Sequence, residues 1–277
     1  IAILGPGRMG QGIAIALAAA GHRVLLLART PRPVRPPLTL HTGPWDAATR
    51  DARVIVVAVP DDAIDAAARA LAERGALRSE HAVLHLSGLL DRRALAALEP
   101  TGAALGSFHP LQSVADPGTA AERLAGAYAA LEGDARAIDT GEWLAAALGM
   151  QAVRLSAGAK VLYHAGAVMA SNYPLALAGV AERLAREAGV PAEVAARMYL
   201  PLLQGTAANA VALGPAAALT GPVRRGDVAT IRRHLDALQP ADRELYRAAA
   251  RAALALARDA GLDEIVARRV EGALTAK

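Results

Sequence analysis

The residues best suited to chemistry lie on one predicted helix, in the stretch SAGAKVLYHAGAVMASNYP from Ser156 to Pro174. Lys160, His164 and Ser171 share one face of such a helix, because positions four and seven residues apart coincide on its surface. Asn172 lies at the edge of that face. Lysine and histidine can act as proton donors, so Lys160 and His164 are predicted to be catalytic, and Ser171 and Asn172 to bind substrate. The alternative is a set of satisfied polar groups in an apolar helix core.

A glycine-rich turn near the start of the sequence predicts a dinucleotide site. A short apolar run precedes a GxGxxG spacing, and an alanine-rich helical pattern and a second apolar run follow it. The first glycine permits a tight turn, the second lets the backbone approach a pyrophosphate, and the third lets the helix pack closely on the sheet. The start of the helix supplies free N–H groups for phosphates. The alternative is a turn without a ligand. The predicted contact residues are Gly5, Pro6, Gly7, Arg8, Met9 and Gly10.

The end of the second predicted strand indicates which dinucleotide is preferred. Sites that prefer NAD usually place a carboxylate there, for the ribose 2′-hydroxyl. Here Arg29, Thr30 and Arg32 occupy that region, and a guanidinium suits a 2′-phosphate. We therefore expect NADP(H), with Arg29 and Thr30 among the binding residues. The alternative is that Arg29 merely faces solvent.

Three further strand ends are predicted to converge on the same edge of the sheet. Apolar runs lead to Pro60, to Ser87 and to His109, and ligands of open parallel sheets bind beyond the carboxyl ends of the strands. Pro60 and Ser87 are predicted to contact the cofactor and His109 to take part in catalysis. A capping or surface role for His109 is the alternative. The Pro-rich stretch Pro31–Pro44 cannot hold a regular helix, so the sheet is expected to be abbreviated there.

The predicted fold class is α/β: an N-terminal, doubly wound, mostly parallel sheet of the Rossmann type, followed by an all-α domain. Strand and helix signals alternate as far as Leu155 and become purely helical afterwards, so the predicted domains are residues 1–155 and 156–277. In the second domain, the run ALTGPVRRGD from Ala218 to Asp227 places Arg225 where it can bind a substrate carboxylate or phosphate. An Arg–Asp pair that holds the loop together is an equally acceptable explanation.

Composition limits the class of protein. Hydrophobic residues make up 54% of the 277 residues and charged residues 20%, which excludes a disordered chain. There is no cysteine, and no metal site is expected. The net charge is +4, but the arginines are scattered, so a nucleic-acid partner is not expected. The apolar stretch from Val161 to Ala181 contains costly polar groups for a membrane span and is interpreted as a buried helix of a soluble, cytoplasmic protein.

Taken together, these motifs resemble a family of Rossmann-like proteins with a C-terminal helical domain of unknown function. The matching runs span most of the chain: GPGRMG, AVPDDAI, LHLSG, GSFHPLQS, KVLYHAGAVMASNY and ALTGPVRRGD. More broadly the chain resembles 6-phosphogluconate dehydrogenases, beta-hydroxyacid dehydrogenases, ketopantoate reductases, pyrroline-5-carboxylate reductases and prephenate dehydrogenases. The resemblance implies NADP-linked hydride transfer and a homodimer joined through the helical domain. Lys160 matches the lysine of beta-hydroxyacid dehydrogenases, but His164 stands where they carry asparagine; His109-Pro110 is similar to the His-Pro of prephenate dehydrogenases.

Two functions follow as hypotheses. The first is an NADP-dependent oxidoreductase acting on a small carbonyl, imine or hydroxy acid, in which Lys160 or His164 supplies the proton. The second is a non-catalytic NADP-binding sensor or partner protein that keeps the fold without turnover. The polar stripe on the predicted helix favours the enzyme, because a sensor has no need of a proton donor.

Overall fold

The computed structural model describes residues 1–43 and 45–275. The chain divides into two compact units, Ile1–Ala170 and Ser171–Lys277. The division falls inside a long helix, Lys160–Glu187. The domain limit expected near Ser156 stays a prediction.

The first unit is built on an eight-stranded sheet with the strand order β3-β2-β1-β4-β5-β6-β7-β8. Its strands are β1 Ala2–Leu4, β2 Leu25–Leu27, β3 Leu40–His41, β4 Val54–Val57, β5 Ala82–His85, β6 Ala104–Pro110, β7 Tyr128–Gly133 and β8 Gln151–Arg154. All neighbours pair in parallel except β6 and β7, which are antiparallel. The strand order reverses direction next to β1, which places a crevice at its carboxyl end. The predicted fold class is confirmed.

Helices cover both faces of this sheet, and the strands supply alternate residues to each face. They are α1 Arg8–Ala19, α2 Asp46–Asp51, α3 Ile64–Glu73, α4 Ala120–Leu124 and α5 Ala135–Ala147, followed by α6 Lys160–Glu187, which begins in this unit. Ile3, Val56 and Phe108 belong to one buried core. Leu4 and Val57 belong to the other, on the opposite face. Because the central strands β1, β4 and β5 are apolar on both faces, the sheet is sandwiched between two helical layers.

Three local elements of the first unit are irregular. The segment Arg92–Thr101 is a 3₁₀ helix, which contains Pro100. Asp61 begins a short 3₁₀ turn, Asp61–Ala63, and makes no cap hydrogen bond. The Pro-rich stretch holds only the short strand β3 and no regular helix among its described residues; its last residue, Pro44, lies outside the described part of the chain.

The second unit is helical and has its own small core. After α6 it contains α7 Ala192–Met198, α8 Leu200–Leu213, α9 Pro215–Ala218, α10 Gly221–Arg225, α11 Val228–Ala237, α12 Pro240–Asp259 and α13 Glu264–Thr275. Val223, Ile231, Leu254 and Val270 pack together in the core formed by α10 to α13. None of the residues of α8 is buried.

The helix α6 is more exposed than its sequence predicts. Val161, Leu162 and Met169 are exposed by 64%, 81% and 65% in the single chain. The interpretation of this stretch as a buried helix is therefore wrong for the isolated chain, because no other element of the described chain covers these side chains. Within the parts of the chain that the structure describes, no helix has the length and apolar character needed to cross a membrane.

Candidate functional site

The glycine-rich turn connects β1 to α1 and has the backbone geometry that its spacing predicts. Gly5 has a φ of 118°, a conformation that favours glycine, and a side chain there would collide with the carbonyl of Ala58. A side chain at Gly10 would collide with the carbonyl of Gly5. At Gly7, in contrast, an added Cβ would meet nothing within 4 Å. Two glycines therefore close the turn, and the third leaves open space at the N-terminus of α1.

A cavity of about 420 Å³ opens beside this turn. The residues that line it come from the ends of β1, β2 and β4 and from the first turns of α3. Six of the predicted cofactor residues are among them: Gly5, Pro6, Gly7, Arg29, Thr30 and Pro60. The other four are not: Arg8, Met9 and Gly10 form the first turn of α1, and Ser87 lies in the lysine cluster described below.

The charged side chains that line this cavity are basic. Arg29 and Arg32 line it, and no described residue of its lining is acidic. Trp45 forms part of the wall and is buried, and the guanidinium of Arg74 lies 4.9 Å from the centre of its ring. Open backbone at a helix N-terminus, together with two guanidinium groups, fits an anionic nucleotide bearing more than one phosphate.

The predicted catalytic lysine lies in a buried polar cluster at the end of β5 and the middle of β6. Its Nζ donates to the carbonyl of Ser87 at 2.6 Å and to Oγ of Ser107 at 2.7 Å, and Lys160 is only 2% exposed. We call Lys160, Ser87 and Ser107 the lysine cluster. Burial lowers the pKa of Lys160 to about 8, against the opposing effect of nearby carboxylates, chiefly Glu132.

The hydroxyl of Ser87 holds the loop after β5 in place. It donates to Oδ2 of Asp61 at 2.8 Å and accepts from the backbone N–H groups of Leu89 and Leu90. Asp61 directly follows Pro60, which lines the cavity. The loop after β4, beside the cavity, is thus connected by hydrogen bonds to the lysine cluster. Contact of Ser87 with a cofactor stays a prediction.

A row of polar residues crosses the sheet beneath Lys160. His85, Ser107 and Glu132 are neighbours in register on β5, β6 and β7, so their side chains share one face. All three are buried. Burial, followed by the charge of Lys160, lowers the pKa of His85 to about 4, and burial raises the pKa of Glu132. A row of this kind inside a sheet is costly unless its members are paired, which identifies the region as more than an apolar core.

His109 and His164 lie together next to Gly88. Their ring centres are 6.0 Å apart, and a Cβ added at Gly88 would lie 2.8 Å from Nε2 of His109 and 2.7 Å from Cδ2 of His164. Nδ1 of His109 is 2.9 Å from the hydroxyl of Tyr163. Burial, then the charge of Lys160, lowers the pKa of His109 to about 4, so this imidazole is neutral at pH 7. The structure thus brings the three predicted catalytic residues into one region of the first unit.

The predicted substrate residues belong to the second unit. Oγ of Ser171 donates to Oδ1 of Asn172 at 2.8 Å, and both residues are exposed on α6. Arg225 is exposed at the end of α10. Asp227 caps α11 by accepting from the N–H of Thr230 at 3.0 Å, which explains this acidic residue by helix capping. The substrate-binding roles of Ser171, Asn172 and Arg225 stay predictions.

Sequence reasoning missed three residues of the region: Gly88, Ser107 and Tyr163. One signal in the sequence was available for Lys160. Of the 30 basic residues, two are lysines, Lys160 and Lys277, so 28 are arginines. Lysine is thus a rare choice in this chain. Lysine, unlike arginine, changes its pKa readily when buried, so its use at position 160 instead of arginine could have indicated a site. Within residues 1–43 and 45–275, no group of acidic, histidine or cysteine side chains is arranged to hold a metal ion.

Two family models match separate parts of the chain. Residues 1–84 match the family described as "NADP oxidoreductase coenzyme F420-dependent", and residues 127–253 match "Domain of unknown function (DUF2520)". The comparison with curated proteins gives no match. These matches confirm the resemblance to a Rossmann protein with a C-terminal helical domain of unknown function.

Solved structures share the fold over nearly the whole chain. The protein TM1727 from Thermotoga maritima is 24% identical with a TM-score of 0.70, over 93% of this chain and 98% of its own. A proposed NADP oxidoreductase, BF3122 from Bacteroides fragilis, is 22% identical with a TM-score of 0.67, over 91% and 96%. Pyrroline carboxylate reductase from Plasmodium falciparum, with NADP bound, is 13% identical with a TM-score of 0.56, over 99% and 96%.

Identities this low establish the fold and not a substrate. The glycine turn, the cavity beside it and the polar strand ends occupy the places where that fold binds its ligands. The chain therefore combines a segment that matches the model described as "NADP oxidoreductase coenzyme F420-dependent" with a segment that matches a domain of unknown function, and it shares its fold with these solved structures.

Proposed function

We propose that this protein is an NADP-dependent oxidoreductase that transfers a hydride to or from a small carbonyl, imine or hydroxy acid. The observation that carries the proposal is the hydrogen-bonded connection between the cavity and the lysine cluster. Pro60 lines the cavity, the adjacent Asp61 accepts from Ser87, and the carbonyl of Ser87 accepts from Lys160. A cavity suited to a dinucleotide, at the ends of β1, β2 and β4, and a set of groups with shifted pKa values, on β5 and β6, are thus connected along one edge of the sheet.

The cavity residues fit a dinucleotide with a 2′-phosphate. Gly7 leaves room for a pyrophosphate at the N-terminus of α1, and Arg29 and Arg32 provide charge for a further phosphate. When bound, the nicotinamide donates or accepts the hydride. The remaining tasks of binding, orientation and hydrogen bonding to the substrate belong to this chain.

The polar residues at the strand ends divide these tasks. The neutral imidazole of His109 offers a hydrogen bond beside Gly88, where His164 also lies. Lys160 is buried, so it acts on the site through its hydrogen bonds and its charge. Its two acceptors, the carbonyl of Ser87 and the hydroxyl of Ser107, belong to the loop after β5 and to β6, so Lys160 links these two neighbouring segments.

The affinity for NADPH and NADH tests the proposal. We expect Arg29→Ala to weaken NADPH about ten- to a hundredfold and NADH far less, because a charge-assisted hydrogen bond contributes about 1.5–3 kcal/mol. Calorimetric titration of both cofactors measures this. Arg23→Ala is the matched control, since Arg23 is exposed and does not line the cavity. Equal affinity of the unmodified protein for the two cofactors contradicts the 2′-phosphate assignment, and no binding of either contradicts the function.

One observation favours the second function, a binding protein without turnover. Lys160, a predicted proton donor, is 2% exposed and already donates two hydrogen bonds inside the protein. A turnover assay separates the two functions. NADPH bound to the protein is mixed with glyoxylate, pyruvate and 1-pyrroline, and its absorbance is followed. Oxidation of NADPH supports the enzyme; stable NADPH with all three probes, despite tight binding, favours the sensor.

We also infer a homodimer formed through the second unit. Large apolar side chains are exposed there, including Leu175 at 66%, Leu202 at 65% and Val211 at 89%. Exposed apolar surface of this extent is unusual for a monomer. Light scattering at micromolar concentration tests the inference, and a monomeric mass contradicts it. A small-molecule substrate, the lack of nucleic-acid and membrane partners, and the cytoplasmic location stay predictions.

A further inference from the structure

The contact between Tyr163 and His109 joins a phenol oxygen to one of the two imidazole nitrogens. The phenol oxygen lies 2.9 Å from Nδ1, and the two rings meet edge-on, with an interplanar angle of 86°. Within residues 1–43 and 45–275, the hydroxyl of Tyr163 has no other hydrogen-bond partner. A phenol is a good donor, and the lone pair of a neutral imidazole is a good acceptor. The arrangement that satisfies both groups has Tyr163 donating to Nδ1, which leaves the imidazole hydrogen on Nε2.

The Nε2 atom is directed towards Gly88. An added Cβ at position 88 would lie 2.8 Å from Nε2 and 3.0 Å from Cε1 of His109. A side chain at this position would collide with both imidazole rings, so only glycine allows Nε2 of His109 to lie this close to the backbone of residue 88. Gly88 follows the end of β5, at the edge of the parallel sheet where ligands bind.

The charged and titratable groups around His109 come from three elements. Lys160 and His164 face it from α6, His85 from β5, and Asp61 from the turn after β4. Burial is the strongest influence and the charge of Lys160 the next, and both disfavour the imidazolium ion; Asp61 opposes them. His109 is therefore a neutral hydrogen-bond donor at physiological pH.

We propose that Tyr163 is a positioning residue that fixes the tautomer of His109, so that the Nε2–H of a neutral imidazole donates a hydrogen bond to the oxygen of a carbonyl substrate beside Gly88. This inference rests on the proposed function. A donor aimed at an oxygen on which negative charge develops stabilises the transition state of hydride addition. The hydrogen bond from Tyr163 prevents Nε2 from becoming the acceptor nitrogen.

The same geometry selects among the proposed substrate classes. A carbonyl oxygen, or the hydroxyl oxygen of the reverse reaction, has lone pairs that accept from Nε2–H. A protonated imine has no lone pair on nitrogen, so it gains nothing from this donor. We therefore assign carbonyl compounds and their alcohols, rather than iminium ions, as the substrate class.

The tautomer can be measured without any substrate. Histidine side-chain ¹⁵N spectra of the full chain distinguish a nitrogen that carries hydrogen from one that does not, and His109→Gln assigns the signals among the seven histidines. We expect Nε2–H and a bare Nδ1 in the unmodified protein, and a mixture of tautomers in Tyr163→Phe. An Nδ1–H tautomer in the unmodified protein overturns the inference, as does an identical spectrum for Tyr163→Phe.

The second unit contains a matched control pair. Nδ1 of His234 is 3.0 Å from the hydroxyl of Tyr246, and these rings meet at 84°. Tyr246→Phe therefore removes the same kind of hydrogen bond from an exposed pair. We expect it to change neither the His109 signals nor the rate of NADPH oxidation.

Kinetics provide the second readout. With the carbonyl probe that turns over fastest, Tyr163→Phe is expected to lower kcat roughly two- to tenfold at unchanged cofactor affinity, the equivalent of one neutral hydrogen bond. His109→Ala is expected to lower it about a hundredfold or more. Because the donor is neutral, the ratio of the unmodified to the Tyr163→Phe rate stays constant between about pH 6 and pH 7.5. A ratio that rises with the protonation of a group in that range overturns the inference, as does faster reduction of 1-pyrroline than of any carbonyl probe.

Failure of the proposed function has a different signature. A protein that binds neither NADPH nor NADH refutes the function, whatever the tautomer of His109. A protein that binds NADPH, oxidises it with a carbonyl and carries Nδ1–H on His109 keeps the function and refutes the role of Tyr163.

Discussion

Replacement of Lys160 by methionine removes the buried ammonium group that donates hydrogen bonds to Ser87 and Ser107. Methionine keeps most of the aliphatic length and removes the ammonium group. The carbonyl of Ser87 and the hydroxyl of Ser107 then lose their shared donor. Unsatisfied acceptors are destabilising, while removal of a buried charge is stabilising, so at neutral pH the two effects oppose each other.

The pH dependence of stability separates the two effects. The folded protein holds the pKa of Lys160 at about 8, below its usual value of 10.5. Between these values the unfolded chain binds the proton and the folded chain releases it, so the stability of the unmodified protein rises with pH. The contribution of this one group increases by about 2 kcal/mol between about pH 7.5 and pH 9.5. Methionine at this position has no such contribution.

The assay is urea unfolding of both proteins across this pH range. The stability of the unmodified protein minus that of Lys160→Met should rise by about 2 kcal/mol, and titration of the protein with ¹³C-labelled lysine, followed at the Cε signal, should give the low pKa directly. Only Lys277 contributes a second lysine signal, which simplifies assignment. A difference in stability that does not change with pH, together with a lysine that titrates near its usual value, refutes the reasoning. For turnover, we expect kcat to fall more than KM rises.

Three further predictions test the site and its surroundings. Gly88→Ala places a methyl group against His109 and His164, so we expect at least about a tenfold loss of kcat with NADPH affinity retained, measured by steady-state kinetics and titration. The pKa of His85 is about 4 in the folded protein and 6.5 in the unfolded chain, so the unfolded chain binds a proton first as the pH falls. Acidification from about pH 7 to pH 5 should therefore destabilise the protein by about 2 kcal/mol through this residue. His85→Gln should remove that part of the acid sensitivity, as measured by urea unfolding. Asp227→Ala removes the cap of α11 and should cost about 1 kcal/mol of stability while cofactor affinity stays unchanged, an outcome that calorimetry checks.

The parts of this molecule that were predictable are those specified by local sequence. The GxGxxG spacing constrains the turn after β1, because Gly5 and Gly10 have no space for a side chain. Apolar runs of four to seven residues mark the buried strands, and parallel topology brings their ends together. His109 could therefore be placed in the same region as Ser87 before any contact was known.

The burial of individual side chains and their hydrogen-bond partners could not be predicted from local sequence. Helical periodicity gives the direction in which Lys160 points, but not the acceptors that bury it, since Ser107 is distant in sequence. Tyr163 lies between Lys160 and His164, but the helical pattern alone indicates only an apolar surface position. Its role depends on its hydrogen bond to His109 of β6, which the sequence does not reveal. The exposure of Val161 and Leu162 was missed for the opposite reason: apolar composition predicts burial, and in a single chain no partner element covers them.

Because the sequence has only two lysines, chemical labelling of the buried amine of Lys160 can report on local opening of the structure around it. Apart from Lys277, it is the only lysine amine of the sequence, and its 2% exposure shields it from acylating reagents while the first turn of α6 is docked on the strand ends. Slow labelling of Lys160 therefore times the transient detachment of that turn, in the way that amide exchange times local opening elsewhere. If a bound nucleotide slows the labelling, the docking of this helix and occupation of the cavity are thermodynamically linked.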